Sequence, residues 1–195
     1  MSPGAERLHA ALPQTQCTRC GYPDCAGYAQ AMADGEAEIN QCPPGGAEGI
    51  VRLSAITGRP AVPLNPANGT EGPRAVAVID EAWCIGCTLC LDACPTDAIL
   101  GSNKLMHTVI EPYCTGCELC VPVCPVDCIS LENVTGEQTG WQAWSQAQAG
   151  EALERYRLRT SRLAHAPRDP PQENANRKRS VIEAALDRAR AKRTP

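Results

Sequence analysis

The chain has 195 residues, 13 cysteines and no phenylalanine, and its leucines, isoleucines and valines together number only 33. That is too few large apolar side chains for a single core of this length, while a net charge of only −4 argues against wholesale disorder, so small domains built around something other than apolar burial are expected. No run reaches the roughly 18 apolar residues of a membrane-spanning helix, and the first twenty residues lack a secretory pattern, so a reducing cytoplasmic setting is expected. There, an odd number of clustered cysteines points to metal and excludes a disulfide scaffold.

Charge divides the chain. Residues 1–134 carry a net −9 and all the cysteines, whereas residues 135–195 carry +5. An acidic front with a basic tail implies two kinds of partner, or a tail that folds back on its own body.

Residues 1–16 read as a loose or weakly helical lead-in. In the segment 1–58, the Ala-rich stretch Cys25–Ile39 and the three-residue recurrence of Ile50, Leu53 and Ile56 predict two helices, the second over about 47–56. Residues 59–74, rich in proline and glycine without apolar periodicity, predict a linker. Residues 75–134 repeat internally at a shift of thirty, about 75–104 onto 105–134, and Cys84–Leu100 matches Cys114–Ser130 at nine of seventeen positions. Besides the cysteines these are Gly86/Gly116, Leu89/Leu119, Pro95/Pro125, Asp97/Asp127 and Ile99/Ile129. Each half reads as strand, cysteine loop, helix, strand, and the whole as an α+β domain of two pseudo-symmetric halves. Residues 135–195 predict helices over about 142–165 and 181–192, the second opened by a Ser180–Glu183 capping box. On the first, Arg155, Arg159 and Arg162 fall on one stripe and Leu153, Tyr156 and Leu163 on another, and Arg188 and Lys192 repeat the basic spacing. Such a tail suits peripheral contact with an anionic membrane or an acidic partner, or a solvated, partly disordered arm.

Two runs have the form CxxCxxCxxxCP. Three thiolates at two-residue spacing wrap three corners of an iron–sulfur cube, and Gly86 and Gly116 are expected to let the loop approach it closely. In paired runs the fourth cysteine, expected at the start of the next helix, serves the other cluster. One cluster is thereby assigned Cys84, Cys87, Cys90 and Cys124, the other Cys94, Cys114, Cys117 and Cys120. Structural zinc uses separated CxxC pairs and has no place for the third cysteine. Cys17, Cys20, Cys25 and Cys42 have spacing that fits either a four-cysteine zinc site or a 4Fe–4S cluster. Cys128 aligns with Ala98 and reads as a core thiol on a helix. His9, His107 and His165 show no ligand pattern, and Trp83, Trp141 and Trp144 read as packing residues. No nucleophile–base pair, phosphate loop or dinucleotide motif is present, so no catalytic residue is assigned. The acidic body, without a recognition helix, gives no reason to expect a nucleic-acid partner.

The segment TQCTRCGYPDCAGYAQAMADGEAEINQCPPGG is similar to the 4Fe–4S domain of the B-type subunit of Rnf (Rsx) electron transport complexes. The segment from Val76 to Leu131, including Met106-His107-Thr108-Val109, closely resembles the bacterial-type double 4Fe–4S ferredoxin domain that follows it there. The resemblance covers about residues 10–134 with the domain order kept. It implies three 4Fe–4S clusters, the third on Cys17, Cys20, Cys25 and Cys42. It also implies an electron-carrying subunit on the cytoplasmic face of the inner membrane, inside a complex that couples redox chemistry to ion transport. Its partners would be the other subunits; a free polyferredoxin serving soluble redox partners is the alternative. The sequence differs from the family in showing no hydrophobic anchor and in its basic tail.

Overall fold

A computed structural model describes residues 1–165. Residues 1–160 form one compact unit; of the second, 161–195, only the last turn of a helix falls within the described residues. The predicted helix at 181–192 and its capping box lie outside them.

The lead-in is helical. In α1 (Pro3–Ala10), proline at the first position needs no amide partner and Ser2 Oγ accepts from Ala5 N at 3.3 Å. The helix buries Ala5 and Leu8. α2 (Cys25–Asp34) is capped by Asp24, which accepts from Gly27 N, and stops at Gly35 in the left-handed conformation (φ 79°), five residues before the predicted Ile39. Arg59 then takes the carbonyls of Ala37 (2.7 Å) and Met32 (3.0 Å), so the chain turns away from the helix axis. α3 (Gly46–Thr57) receives a carboxylate cap from Glu71, which accepts from Ala47 N at 2.8 Å. Leu8, Leu12, Tyr28, Met32, Ile39, Ile50 and Leu53 form the core of this part.

Residues 59–74 hold little regular structure, yet they are tied down. Asn40 Nδ2 donates to Pro63 O at 2.7 Å, Asn68 Nδ2 to Arg19 O at 2.9 Å, and Glu71 also receives Thr139 Oγ1 at 2.8 Å. Two small antiparallel sheets follow. β1 (Ala75–Ile79) pairs with β4 (Ile129–Asn133), Ala75 opposite Asn133 and Ile79 opposite Ile129. β2 (Ile99–Leu100) pairs with β3 (Thr108–Val109), Ile99 opposite Val109. The first strand thus joins the last, and the two repeats interlock rather than stand side by side. The fold is α+β, as expected.

α4 (Leu89–Ala93) follows the first three cysteines, and Cys94 is its C-terminal cap; the cysteine closes the helix instead of opening the next. The corresponding stretch of the second repeat forms turns. Pro122 stands where Asp92 stands in α4, and without an amide it cannot extend a helix. Elsewhere the repeats match in backbone: φ is 69° and 66° at Thr88 and Glu118, and 50° at both Asp97 and Asp127, a left-handed conformation that aspartate tolerates.

After β4, α5 (Gly140–Ala143) and α6 (Gln146–His165) replace the single predicted helix. Trp141, Trp144, Ala149 and Ala152 form a small core. Trp144 Nε1 donates to Pro13 O at 2.8 Å, and the guanidinium of Arg52 lies 3.9 Å over the Trp141 ring. These two tryptophans pack as expected, whereas Trp83 is 68% exposed. α6 lies across the body. Arg155 donates to Thr96 O (2.8 Å) and Asp97 O (3.2 Å) and stacks 3.4 Å over Tyr113. Arg159 pairs with Asp97 at 2.9 Å and also donates to Asp92 O. Tyr156 donates to Asp24 Oδ2 at 3.0 Å. Arg155 and Arg159, expected on a surface-binding stripe, are therefore occupied within the chain. No helix among the described residues is long and apolar enough to cross a membrane.

Candidate metal centres

Cys17, Cys20, Cys25 and Cys42 are all buried. The loop that carries the first of them alternates into the left-handed region at Gln14, Gln16 and Thr18 (φ 59°, 54° and 60°). Gln16 Oε1 holds the amide of Cys25 at 2.9 Å, joining this loop to the start of α2. Tyr28 O–H donates to Glu38 O at 2.7 Å and accepts from Gln41 N at 3.1 Å, which fixes the strand of chain that delivers Cys42. Burial pushes the Cys25 thiol up to about 12, and Cys17 and Cys20 oppose its ionisation further. Burial first, then Cys25 and Cys17, raises Cys42 well above the ordinary thiol value. Cys17, Cys20, Cys25 and Cys42 thus lie near enough to act on one another electrostatically.

In the repeat domain, one pocket is lined by Cys84, Cys87, Cys90 and Cys124, and another by Cys94, Cys114, Cys117 and Cys120. Each draws three cysteines from one run and the fourth from the other. Backbone amides are aimed at the sulfurs with the symmetry of the repeat: Ala77 N reaches Cys114 Sγ at 3.4 Å and His107 N reaches Cys84 Sγ at 3.3 Å. Ala98 N reaches Cys94 Sγ at 3.1 Å. Burial raises Cys90 to about 11 and Cys117 and Cys120 to about 12.

Such thiols ionise only against a compensating positive charge, and no lysine or arginine among the described residues lines either pocket. No three His, Cys, Asp or Glu side chains among the described residues stand close enough to grip one metal ion. Four thiols in one pocket and five, with Cys128, in the other, amide donors to sulfur and walls such as Ile79, Ile99 and Val109 fit an iron–sulfur core.

Several expectations change in detail. Gly86 and Gly116 stand close against facing backbone. A Cβ on Gly86 would meet Leu105, and one on Gly116 would meet Ala75 O, at φ of 68° and 67°. Cys128 is buried as a core thiol should be, but it precedes β4 instead of lying on a helix, and its Sγ is 3.5 Å from Cys124 Sγ. Burial and the bond to Cys124 raise its thiol to about 12. Burial acts the same way on Cys124 but is outweighed by the amides of Val126 and Cys128 and by the Cys128 thiol, which hold it below the ordinary value. His9 is buried, and His165 bonds the Ser161 carbonyl. His107, read as having no partner, is 1% exposed with Nδ1 3.3 Å from Cys90 Sγ. The signal for it lay in the repeat, where a shift of thirty places His107 opposite Ala77.

Residues 77–131 match the family model of a 4Fe-4S dicluster domain, and residues 12–44 match one described as "Putative Fe-S cluster". Among curated proteins, the chain is 60% identical over 108 residues to the B-type subunit of the ion-translocating oxidoreductase complex of Azoarcus sp. strain BH72, covering 55% of this chain and 59% of the relative. It is 58% identical over 109 residues to that of Thiobacillus denitrificans (56% and 58% covered) and 52% over 111 residues to that of Alkalilimnicola ehrlichii (56% and 59% covered). The chain thus spans less than two thirds of the length of the relatives it matches. Over somewhat more than half of its own length this chain is similar to the B-type subunit of ion-translocating oxidoreductase complexes, and the resemblance read from its cysteine runs holds.

Proposed function

We propose that the chain is an electron-transfer subunit of an Rnf-type ion-translocating complex, carrying three 4Fe–4S clusters on the cytoplasmic face of the inner membrane. Cys17, Cys20, Cys25 and Cys42 would hold the first; Cys84, Cys87, Cys90 and Cys124 the second; Cys94, Cys114, Cys117 and Cys120 the third. The exchange of Cys94 and Cys124 between the two pockets carries this reading, because it is the ligand pattern of two-cluster ferredoxins. When bound, each cluster takes up and returns one electron. The residues supply the rest. Buried apolar walls exclude water, and the amides of Ala77, Ala98 and His107 donate to sulfur and favour the more negative, reduced state. Residues 1–58 and 75–134 act as two redox domains joined by 59–74, the second of the bacterial double-cluster ferredoxin type, with α6 laid across both. The relatives are named as subunits of a complex, which favours that setting over a free carrier. Any contact of the tail with an anionic membrane does not fall to Arg155 or Arg159; Arg188 and Lys192 lie outside the described residues.

Anaerobic purification with iron and zinc analysis and low-temperature EPR tests the proposal. About 12 iron atoms per chain and no zinc are expected. Cys94→Ala should cost about four of them and Cys128→Ala none. A colourless, EPR-silent preparation, or zinc in place of iron, would overturn it.

A further inference from the structure

The two pockets of the repeat domain are built to one plan and differ at several buried positions. Two of these differences put a side-chain donor beside a sulfur in one pocket alone, whereas the Thr96 and Thr115 hydroxyls of the other pocket, opposite Val126 and Ile85, donate to Tyr113 O (2.9 Å) and Thr15 O (3.0 Å). Ala77 and Ala98 line the pocket of Cys94, Cys114, Cys117 and Cys120. Their counterparts thirty residues on are His107 and Cys128, and both line the other pocket. Neither replacement is inert. His107 Nδ1 lies 3.3 Å from Cys90 Sγ, and Cys128 Sγ lies 3.5 Å from Cys124 Sγ. A sulfur that ligates iron carries no proton, so at Cys90 the imidazole Nδ1–H is the donor, and at Cys124 the Cys128 S–H. Room for the ring is reserved on the opposite wall: a Cβ on Gly101 would run into His107 Cδ2. His107 Nε2 is buried without a protein partner, so the ring is held by its fit and by the bond to sulfur. The backbone amides to sulfur recur in both halves and therefore cannot distinguish them; the two side-chain donors can.

We propose that His107, aided by Cys128, sets the cluster of Cys84, Cys87, Cys90 and Cys124 at a higher reduction potential than its pseudo-symmetric neighbour, so that a single electron on the domain resides there. Donation to a ligating sulfur stabilises the reduced state, which carries the greater negative charge on sulfur. His107 is thus a positioning and tuning residue and not a ligand. The inference rests on the ligand sets proposed above.

The test is an EPR-monitored redox titration of the whole chain, with iron content measured on every sample. His107→Leu removes the donor, His107→Asn keeps an N–H near the Nδ1 position, and Cys128→Ala restores the residue of the other half. In His107→Leu one potential alone should fall, by about tenfold in the equilibrium constant, which for one electron is about 59 mV. His107→Asn should recover most of that shift, and Cys128→Ala should lower the same potential by less, because S–H is a weak donor. Iron-replete His107→Leu with unchanged potentials, or with all potentials displaced together, would overturn the inference. If His107→Leu loses iron, Cys128→Ala decides, and unchanged potentials in that variant overturn it. Wild-type protein short of iron would instead defeat the ligand assignment on which the inference stands.

Discussion

Arg155 lets the bracing role of α6 be tested quantitatively. Its guanidinium donates to the carbonyls of Thr96 and Asp97, two and three residues beyond Cys94, and stacks on Tyr113, which immediately precedes Cys114. One residue on, Tyr156 holds Asp24, the cap residue before Cys25. A single turn of helix therefore grips the flanks of two cysteine sets. Hydrogen bonds from a charged donor are worth about 1.5–3 kcal/mol and an exposed cation–π contact about 0.5–1 kcal/mol. Allowing for the partial exposure of Arg155, its removal should make local opening of the helix beyond Ala152 about 2 kcal/mol easier, or roughly 30-fold more frequent. Native-state hydrogen exchange of amides 153–160 in Arg155→Ala reads this directly. Arg155→Lys should recover only part of the protection, because an ammonium keeps the charge but neither the planar fork nor the stacking. Arg157→Ala, at an exposed position on the same helix, should leave exchange unchanged. Equal protection in Arg155→Ala and wild type, or equal loss in Arg157→Ala, would refute the bracing argument.

Two other substitutions probe separate parts of the fold. Gly116→Ala places a Cβ against Ala75 O at φ 67°, so left-handed strain of about 1–2 kcal/mol adds to a backbone clash at the start of β1. Loss of cluster colour should occur several degrees lower on heating, and an unchanged midpoint would count against that contact. His9 is buried, and burial first, then Arg157, lowers its imidazole from 6.5. The unfolded chain consequently takes up a proton as pH falls through 6.5 that the folded chain does not, and stability drops from there down to the folded value. Melting measured from about pH 7.5 to 5.5 should decline less in His9→Gln than in wild type, and parallel declines would exclude His9 as the cause.

What the sequence conveyed was mostly metal chemistry and local punctuation. The CxxCxxCxxxCP runs predicted a grouping of three cysteines from one run with the fourth from the other, and the two pockets are lined in that grouping. The second and third helices were legible from composition and periodicity. The end of α2 was misplaced because Arg59, more than twenty residues away, competes for its carbonyls. α1 is too short to announce itself and is held by the burial of Leu8 against α2. The helix missing from the second repeat was foreshadowed by Pro122, yet the likeness of the runs outweighed that one residue. The basic stripe of α6 was visible, but its partners were not, since nothing local tells whether an arginine meets a lipid or the carbonyls after Cys94. His107 was hidden for the same reason: only the fold brings it to Cys90.

The interlocking of the repeats has a further energetic consequence. Cys84 and Cys124 are forty residues apart, and a cross-link closing a loop of that length removes about 4 kcal/mol of unfolded-chain entropy on the chain-entropy relation. With clusters bound as proposed, each pocket of the repeat domain would be a cross-link between the two halves, the second closing the shorter loop of 26 residues from Cys94 to Cys120. The strands between them are short: β2 and β3 have two residues each, and β1 and β4 form an isolated pair of the kind that is marginal in water. Metal binding and folding of residues 75–134 should therefore be one equilibrium. Stripping iron with a chelator should release the amides of β1 and β4 to exchange together with those of β2 and β3, although neither β1 nor β4 contains a cysteine. If β1 and β4 stayed protected after the iron was gone, apolar contacts such as Ile79 against Ile129 would suffice to hold the sheet, and the coupling argued from the crossed ligands would be wrong.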